Sequence, residues 1–425
     1  MQTKTLAKKI FTDALQASLP KNFIPNYCHL DGEILKIGED RYKLDDYKNI
    51  YVFGSGKAAF TMAHEVELLL GKRVKGGLIV APKTSAKLKY IEVCEGTHPL
   101  PSKKSFDSTQ KLIQSMKSCD EDDLYIYLLS GGSSALIELP TEPITLQALQ
   151  DATKLMLHNA LDIQDVNTVR KHISQIKGGK LAQACKASGI VLVLSDIIGD
   201  DLYSIGSAPM YGDKSTYEDA INILDSKSIF HHMPLSIQLI LQKGVNGILK
   251  ETPKYESANL KHYIIASNTQ ALDAAAKSAI LQGLSVKIIK EPMQGNVDEM
   301  VEKMLEIVKT SKEKCLLFGG ECTVKVTGNG QGGRNQHAVA LMLKEMKTKN
   351  LDICFLSAGT DGIDGDSDAA GAVVDRQNVN IEMQELDAYI QNFDTYNLFK
   401  KIDSLVMTGP SGTNVIDIAI IIKGE

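Results

Sequence analysis

Short apolar runs, each followed by a glycine-rich turn and then by a helical pattern, recur along the chain. They lie in residues 49–66, 124–139, 189–201, 314–324 and 353–365. Continuous apolar runs of this kind are typical of strands that are buried on both faces of a sheet. Their alternation with helices predicts an α/β fold with a parallel sheet. Ligands of such sheets bind at the carboxyl ends of the strands, where the glycine-rich turns lie.

Helical patterns occupy much of the remaining chain. Residues 145–186 have helical periodicity throughout, with a break before Asp165, and a further helical stretch lies within residues 213–248. A polar, less patterned region follows, and the strand–helix–strand pattern then starts again. We therefore predict two domains, residues 1–240 and residues 241–425.

Composition and charge narrow the class of protein. The chain has 425 residues, of which 43% are hydrophobic and 23% charged, as is usual for a soluble globular protein. The formal net charge of -5 does not favour nucleic acid or an anionic membrane, which would need a basic face. No run approaches the length of a transmembrane helix, and the N-terminus lacks the apolar core of a signal peptide. We expect a cytoplasmic protein that binds neither nucleic acid nor membrane.

The seven cysteines indicate free thiols. Their number is odd and no Cys-x-x-Cys pair occurs, so neither a disulfide framework nor a zinc ribbon is expected. Cys315 and Cys354 lie in apolar runs, which predicts that both are buried.

The first glycine-rich turn could bind an anion. Gly54, Ser55, Gly56 and Lys57 follow a predicted strand and open a helix, whose N-terminus offers free N–H groups. The spacing is not that of a Walker A loop, and Ala59 stands where a dinucleotide-binding fingerprint has its third glycine. A plain strand–helix turn with a solvated lysine is the alternative.

The second turn is rich in hydroxyl groups, and small residues of this kind can hold phosphate or carboxylate oxygens. The nucleophile-elbow pattern of serine hydrolases is absent, and a flexible turn is the alternative. The turn contains Ser130, Gly131, Gly132, Ser133 and Ser134.

A predicted helix carries a basic edge next to its apolar face. Asn167, Arg170, Ser174 and Lys177 fall within roughly 80° of each other on a helical wheel, which favours a position at the side of a cleft. A solvated face is the usual alternative. Two glycines directly after Lys177 would interrupt an ordinary helix, and this irregularity favours a functional interpretation.

Carboxylates follow three of the predicted strands. Asp196, Glu321 and Asp361 stand at these strand ends, where acidic groups can hold Mg²⁺ or accept a proton from a substrate hydroxyl. Any one of them alone could instead cap a helix.

Further candidate ligands lie in three loops. A glycine-dense stretch ends in Arg334, whose planar fork suits carboxylate or phosphate, although a glycine-rich hairpin is the alternative. His98 lies in a proline-rich loop and could bind substrate, although a structural role is the default. The remaining candidates are Gly332, Gly333, Asn335, Thr413 and Asn414.

The order of these motifs is more specific than any one of them. The chain contains in succession GSGKAA, THPLPS, SGGSSAL, VNTVRKHISQIKGGKLA, SDIIGDD, GGECTV, GQGGRNQ, GTDGIDGDSDAAGAVVD and TGPSGTNV. This succession, from about Tyr51 to Ile420, closely resembles the glycerate 2-kinase family, whose older members were sometimes labelled hydroxypyruvate reductase. The resemblance implies a Rossmann-like N-terminal domain, a smaller C-terminal α/β domain of the MOFRL type, and an active site in the cleft between them.

The resemblance also implies the reaction. ATP and Mg²⁺ would serve to phosphorylate D-glycerate at its 2-hydroxyl, giving 2-phosphoglycerate and ADP, with Lys57 and Arg334 as the residues most often given catalytic roles. We expect Asp196, Glu321 and Asp361 to supply metal ligands and Asp361 to accept the hydroxyl proton. We expect alanine at either position to lower kcat/KM by on the order of 10²-fold and hardly to change the melting temperature, since a solvated loop charge contributes little to stability. If both are merely solvated turn residues, the kinetics should stay near normal.

Several positions depart from the family pattern, and two other functions stay open. His337 replaces an acid, Ala208 and Met210 alter one loop, Ser102 ends another, and Ile416 replaces an asparagine. An NAD(P)H-dependent hydroxypyruvate reductase would need the missing third glycine. A non-catalytic sugar-acid-binding protein would bind nucleotide without turnover. The sequence also leaves a homodimer open.

Overall fold

The chain forms two compact units in a computed structural model that describes residues 3–255, 257 and 259–424. Unit 1 combines the described parts of Met1–Phe23, Ser195–Gly199 and Ala266–Glu425, and unit 2 combines those of Ile24–Leu194 and Asp200–Ile265. The domain limits at residues 240 and 241 stay a prediction.

The described residues form fourteen α-helices. In chain order they are α1 (Thr3–Ala17), α2 (Pro20–Tyr27), α3 (Ala59–Leu70), α4 (Lys103–Lys117), α5 (Ser133–Leu136), α6 (Leu146–His158), α7 (Ile163–Ile173), α8 (Tyr217–Ser226), α9 (Leu235–Val245), α10 (Asn268–Leu281), α11 (Val297–Thr310), α12 (Arg334–Lys349), α13 (Met383–Gln391) and α14 (Thr395–Lys401).

Unit 2 contains a small antiparallel sheet and a larger sheet. The small sheet consists of β1 (Cys28–Asp31), β2 (Ile34–Ile37) and β3 (Asp40–Lys43). The larger sheet consists of β4 (Ile50–Ser55), β5 (Val74–Ala81), β6 (Glu92–Glu95), β7 (Leu124–Leu129), β8 (Ser188–Leu194) and β9 (Leu260–Ala266).

The larger sheet of unit 2 has the order β6-β5-β4-β7-β8-β9, and β4 through β8 pair in parallel, as predicted. The chain adds strands first to one side of β4 and then, from β7 onward, to the other. The loops after β4 and β7 therefore lie side by side where the strand order reverses. In open α/β sheets this switch point is the usual place for a ligand.

Unit 1 contains a mixed sheet, so the prediction of parallel strands is wrong for this half. Its strands are β10 (Val286–Ile288), β11 (Cys315–Gly320), β12 (Ile353–Gly359), β13 (Gly371–Val374), β14 (Leu405–Val406) and β15 (Asp417–Lys423). The order is β10-β11-β15-β12-β13-β14, and β15 runs antiparallel to both of its neighbours. The final strand separates β11 from β12, which periodicity alone does not indicate.

The predicted helix across residues 145–186 is partly wrong. Its break is confirmed, because α6 ends at His158 and α7 begins at Ile163. However, α7 ends at Ile173, and Ser174 is extended and forms a β-bridge with Pro140. Ser174 and Lys177 therefore do not share a helix face with Asn167 and Arg170, because the bridge ends the helix before the glycine pair.

Apolar periodicity positions α12 in the core of unit 1. Val339, Met342, Leu343 and Met346 are all buried against the sheet and the neighbouring helices. A separate core lies among α6 to α9 in unit 2. Within the described residues, no helix combines the length and apolar character needed to span a membrane.

Candidate active site

The two loops at the switch point of unit 2 are hydrogen-bonded to each other. The Lys57 N–H donates to the Gly131 carbonyl (2.8 Å), and the Ala58 N–H donates to Ser130 Oγ (3.1 Å). Gly56 has a φ of 132°, and a Cβ there would lie 2.1 Å from Ser130 Oγ, so only glycine fits. Because protein groups accept from Lys57 and Ala58, the prediction of free N–H groups is wrong for these two residues.

A buried chain of hydroxyl groups supports both loops. Ser55 Oγ lies 2.7 Å from the Tyr127 hydroxyl and 2.5 Å from Ser133 Oγ. All three residues are buried. Gly54 lies against β7, since a Cβ there would be 2.7 Å from the Leu128 carbonyl oxygen. The hydrogen bond between Ser55 and Ser133 therefore joins the end of β4 to the loop that follows β7.

Lys57 and His98 lie together over Gly132. A Cβ on Gly132 would lie 3.0 Å from Lys57 Cγ and 3.1 Å from His98 Cδ2, and the φ of Gly132 is 76°. His98 is exposed, but partial desolvation of its ring and the nearby Lys57 ammonium lower its pKa to about 4. His98 is therefore neutral near pH 7. Lys57 is exposed, so its ammonium is available to an anion.

Lys177 and Ser174 support the second loop through a buried acid. Lys177 is fully buried, lies 3.1 Å from a Glu138 carboxylate oxygen and donates to the Ser134 carbonyl (2.8 Å). Ser174 Oγ donates to Glu138 Oε1 (2.7 Å). These contacts hold the end of α5 in place. Asn167 is also hydrogen-bonded within the protein, since the Ser207 hydroxyl donates to its Oδ1 (2.9 Å). Arg170 is half-buried.

Arg334 is clamped between two carboxylates in unit 1. Its Nε and Nη2 lie 2.6 Å and 3.0 Å from the two oxygens of Asp417, and its Nη1 lies 2.7 Å from Glu321 Oε1. Burial disfavours the charged guanidinium, but the hydrogen bonds and charge of Asp417, with Glu321, outweigh this and raise the pKa of Arg334. The alternative of a solvated turn residue is therefore wrong for Arg334.

The register of the mixed sheet brings Asp361 to the same place. Asp417 begins β15 and pairs with Gly320 on one side and Gly359 on the other. A Cβ on Gly359 would lie 3.1 Å from Asp361 Oδ1 and 3.2 Å from Asp417 Oδ1. The predicted residues Arg334, Glu321 and Asp361 therefore lie together, with Asp417 as a fourth member that the sequence reading missed. Its only signal is an acid at the start of the last apolar run.

Asp364 fixes the first turn of α12. Its buried carboxylate accepts the N–H groups of Asn335 (3.0 Å) and Gln336 (2.8 Å). Burial raises the pKa of Asp364 to about 6, against the opposing effect of these hydrogen bonds. A Cβ on Gly333 would lie 2.3 Å from Asp364 Oδ1, and one on Gly332 would lie 2.3 Å from Thr395 Oγ1. These glycines thus allow close packing of the loop.

The remaining predicted residues contact the protein backbone or stand at strand ends. Thr413 Oγ1 donates to the Ser18 carbonyl (2.6 Å), and Asn414 Oδ1 accepts the Ile416 N–H (2.9 Å). Asp196 follows β8 and is half-buried. Among the described residues, no group of three or more His, Cys, Asp and Glu could hold a metal ion. The metal roles of Asp196, Glu321 and Asp361 stay a prediction.

Comparison with known proteins identifies the family. Residues 6–242 match the model of a domain of unknown function, DUF4147, and residues 314–417 match the MOFRL family. Glycerate 2-kinase of Pyrococcus horikoshii is 34% identical, over 99% of this chain and 98% of that protein. D-glycerate 2-kinase of Thermotoga maritima is 34% identical, over 98% of this chain and 97% of that protein.

A solved structure extends the match to the fold. The crystal structure of glycerate kinase from Thermotoga maritima superposes with a TM-score of 0.85 at 32% identity, over 99% of both chains. The motifs, the fold and the full-length similarity agree, and the chain belongs to the glycerate 2-kinase family.

Proposed function

We propose that this protein transfers a phosphoryl group from ATP to the 2-hydroxyl of D-glycerate, giving 2-phosphoglycerate and ADP. The observation that carries the proposal is the placement of two cationic side chains. Lys57 lies exposed over Gly132, and Arg334 is held rigidly by Asp417 and Glu321. Both are the residues that the family motifs mark as catalytic.

We further propose that the N-terminal domain is Rossmann-like and that the active site combines residues of both domains. The order β6-β5-β4-β7-β8-β9 supports the first part, because it corresponds to the 3-2-1-4-5-6 order of dinucleotide-binding sheets. The second part rests on the family resemblance and on the division of the motif residues between the two halves of the chain.

Phosphoryl transfer depends mainly on positioning and on neutralising charge. Arg334 has five N–H donors, and the contacts with Asp417 and Glu321 among the described residues engage three, which leaves two for a substrate carboxylate or phosphate. The ammonium of Lys57 offsets further negative charge. We propose Asp361 as the acceptor of the hydroxyl proton, because it follows the end of β12 and lies beside Asp417, the partner of Arg334.

The residues around Arg334 suit a metal-bound nucleotide better than a bare phosphate. Glu321 and Asp417 contact the single guanidinium, and Asp361 lies beside Asp417, so the carboxylates outnumber the cation and the local charge repels an anion unless a further cation accompanies it. Mg²⁺ is usually held by one or two carboxylates together with substrate phosphates, so a closed set of protein ligands is unnecessary. When bound, MgATP supplies the phosphoryl group. We propose Glu321, Asp361 and Asp196 as the candidate ligands.

The proposal is tested by two assays on one preparation. ADP release with D-glycerate and MgATP is expected, and NADH oxidation with hydroxypyruvate is not. Phosphorus NMR should identify 2-phosphoglycerate as the product, and excess EDTA should abolish turnover. Nucleotide binding without ADP release would contradict the proposal and favour a binding protein, whereas NADH oxidation would favour a reductase. Lys57→Ala is the control for a contaminating kinase, because it should remove the ADP signal.

A further inference from the structure

Two cysteine thiols of unit 2 are in contact, far apart in the sequence. The thiols of Cys119 and Cys185 share a hydrogen bond. Cys119 lies two residues after the end of α4, and Cys185 directly follows the helical turn Ala182–Ala184, which contacts α4. Both cysteines are free thiols, and their sulfur atoms are already neighbours.

The two thiols have complementary surroundings. Cys185 is half-buried and can be reached by a small molecule, whereas Cys119 is 4% exposed. The Cys119 thiol and the Ala187 N–H hydrogen-bond to the Cys185 sulfur and lower the pKa of Cys185 against the opposing effect of burial. The hydrogen bond to Cys185, burial, and the charge of Asp123 raise the pKa of Cys119. Because Cys185 is the accessible thiol and Cys119 is buried, Cys185 is the one that reacts first with a dissolved reagent.

Cys315 and Cys354 lack both features, contact and accessibility, because they pair with Ile422 from opposite sides of β15 and neither is accessible. Cys315 and Cys354 lie in β11 and β12 with exposed fractions of 0% and 1%. Burial raises the pKa of Cys315 to about 12, and that of Cys354 is raised as well. Since the thiolate is the reacting species, these buried thiols stay inert.

We propose that Cys119 and Cys185 form a reversible disulfide on reaction with a low-molecular-weight disulfide such as oxidised glutathione. The Cys185 thiolate attacks one glutathione sulfur and releases a glutathione thiolate, leaving a mixed disulfide. The Cys119 thiol then loses its proton, attacks the Cys185 sulfur and expels the second glutathione. Two protein thiols are oxidised while one glutathione disulfide is reduced to two thiols.

The cross-link would join the segments on either side of the candidate site's second loop. The chain between Cys119 and Cys185 contains β7, the loop Ser130–Ser134 and Lys177. Closing so long a loop restricts the unfolded chain, so oxidation should raise the unfolding midpoint. This inference concerns thiol chemistry and holds whether or not the proposed function is correct.

The test treats the folded full-length protein with oxidised glutathione and maps its peptides without reduction. Wild type should lose two free thiols, yield a linked peptide pair containing Cys119 and Cys185, and recover both thiols with dithiothreitol. Cys119→Ser should stop at one glutathione on Cys185, and Cys185→Ser should leave Cys119 unmodified. Cys94→Ser is the control, because Cys94 is buried elsewhere in the unit and its removal should leave the linked pair unchanged.

Two results would overturn the proposal. One is a wild-type protein that circular dichroism shows to be folded but that yields no linked Cys119–Cys185 peptide pair, whether or not it carries glutathione adducts. The other is Cys119→Ser protein that fails to retain glutathione on Cys185, since that would remove the initiating thiol.

Discussion

Arg334 and Asp417 form a two-point ion pair, in which Nε and Nη2 of the guanidinium lie 2.6 Å and 3.0 Å from the carboxylate oxygens. The pair joins the first residue of α12 to the first residue of β15. Asp417 is 2% exposed, so its carboxylate contacts Arg334 in the interior and not at the surface. The residue proposed to meet substrate is therefore also part of the folded framework of unit 1.

The first prediction is that Arg334→Ala lowers both activity and stability. It leaves Asp417 as a buried charge without its main partner, which should cost roughly 3 kcal/mol in the free energy of unfolding. We expect kcat/KM for glycerate to fall by on the order of 10²-fold. Arg334→Lys should recover only part of the lost stability and activity, because an ammonium cannot reproduce the two-point contact. Urea unfolding and ADP release measure the two effects.

The control for Arg334→Ala is Lys309→Ala, which removes an exposed ion pair with Glu306 on α11. It should leave the urea midpoint and kcat/KM unchanged, since exposed pairs contribute little. An Arg334→Ala protein as stable as wild type would contradict the structural half of this prediction.

The sequence indicates which strands and loops form the site, but it does not indicate which strands pair or which side chains contact each other. Lys57 and Arg334 were found because glycine-rich turns after apolar runs have a local signature. Asp417 was missed, since its role depends on β15 inserting between β11 and β12, a long-range pairing that no local pattern encodes. Likewise, the solvated-turn interpretation of Arg334 failed because its partner lies 83 residues away along the chain.

Two further differences have local physical causes that only the fold reveals. Ser174 and Lys177 fit a helical wheel, but the bridge between Ser174 and Pro140 ends the helix at Ile173. Ile416, where the family has asparagine, adopts a φ of 61°. Asparagine tolerates this left-handed conformation, whereas a β-branched residue rarely adopts it. The departure therefore affects the backbone directly before Asp417.

The second prediction concerns the packing of Lys57 and His98 over Gly132. In Gly132→Ala the new methyl group meets Lys57 Cγ at 3.0 Å, and the φ of 76° disfavours alanine. We expect kcat/KM to fall by about 10²-fold because Lys57 is displaced. Gly247→Ala is the matched control: its φ is 71°, but open space surrounds it. Both variants should lose some stability, and only Gly132→Ala should lose activity. Equal activity losses would contradict the displacement of Lys57.

The third prediction is that Lys177 and Glu138 act as one buried unit. Lys177→Met alone removes the ammonium that contacts the buried Glu138 side chain, and should cost roughly 3 to 5 kcal/mol in the free energy of unfolding. The double variant Lys177→Met/Glu138→Leu should cost less than the sum of the single changes, since the only charge that then stays among Lys177, Glu138 and Arg170 is that of Arg170, which is half-buried rather than fully buried. A double-mutant cycle by urea unfolding measures the coupling. Additive effects would indicate that the 3.1 Å contact between Lys177 and Glu138 contributes nothing.

The last prediction follows from Asp364, whose pKa burial raises to about 6. An aspartate in an unfolded chain has a pKa of about 3.9, so the folded protein holds this proton more tightly. Because the folded state binds this proton more tightly, the proton stabilises it fully below about pH 4. This contribution is lost as the pH rises through about 6. The difference corresponds to roughly 3 kcal/mol.

Asp364→Asn removes this titration and keeps one oxygen for the N–H groups of α12. The free energy of unfolding of wild type, minus that of the variant, should therefore decrease between about pH 4 and pH 6, because only wild type has the titrating group. Taking the difference cancels the carboxylates that both proteins share. Repeating the series in high salt separates a buried group from surface charges, since salt screens exposed charges far more strongly. A difference that stays constant with pH, or that vanishes in salt, would mean that Asp364 is ionised and solvated throughout.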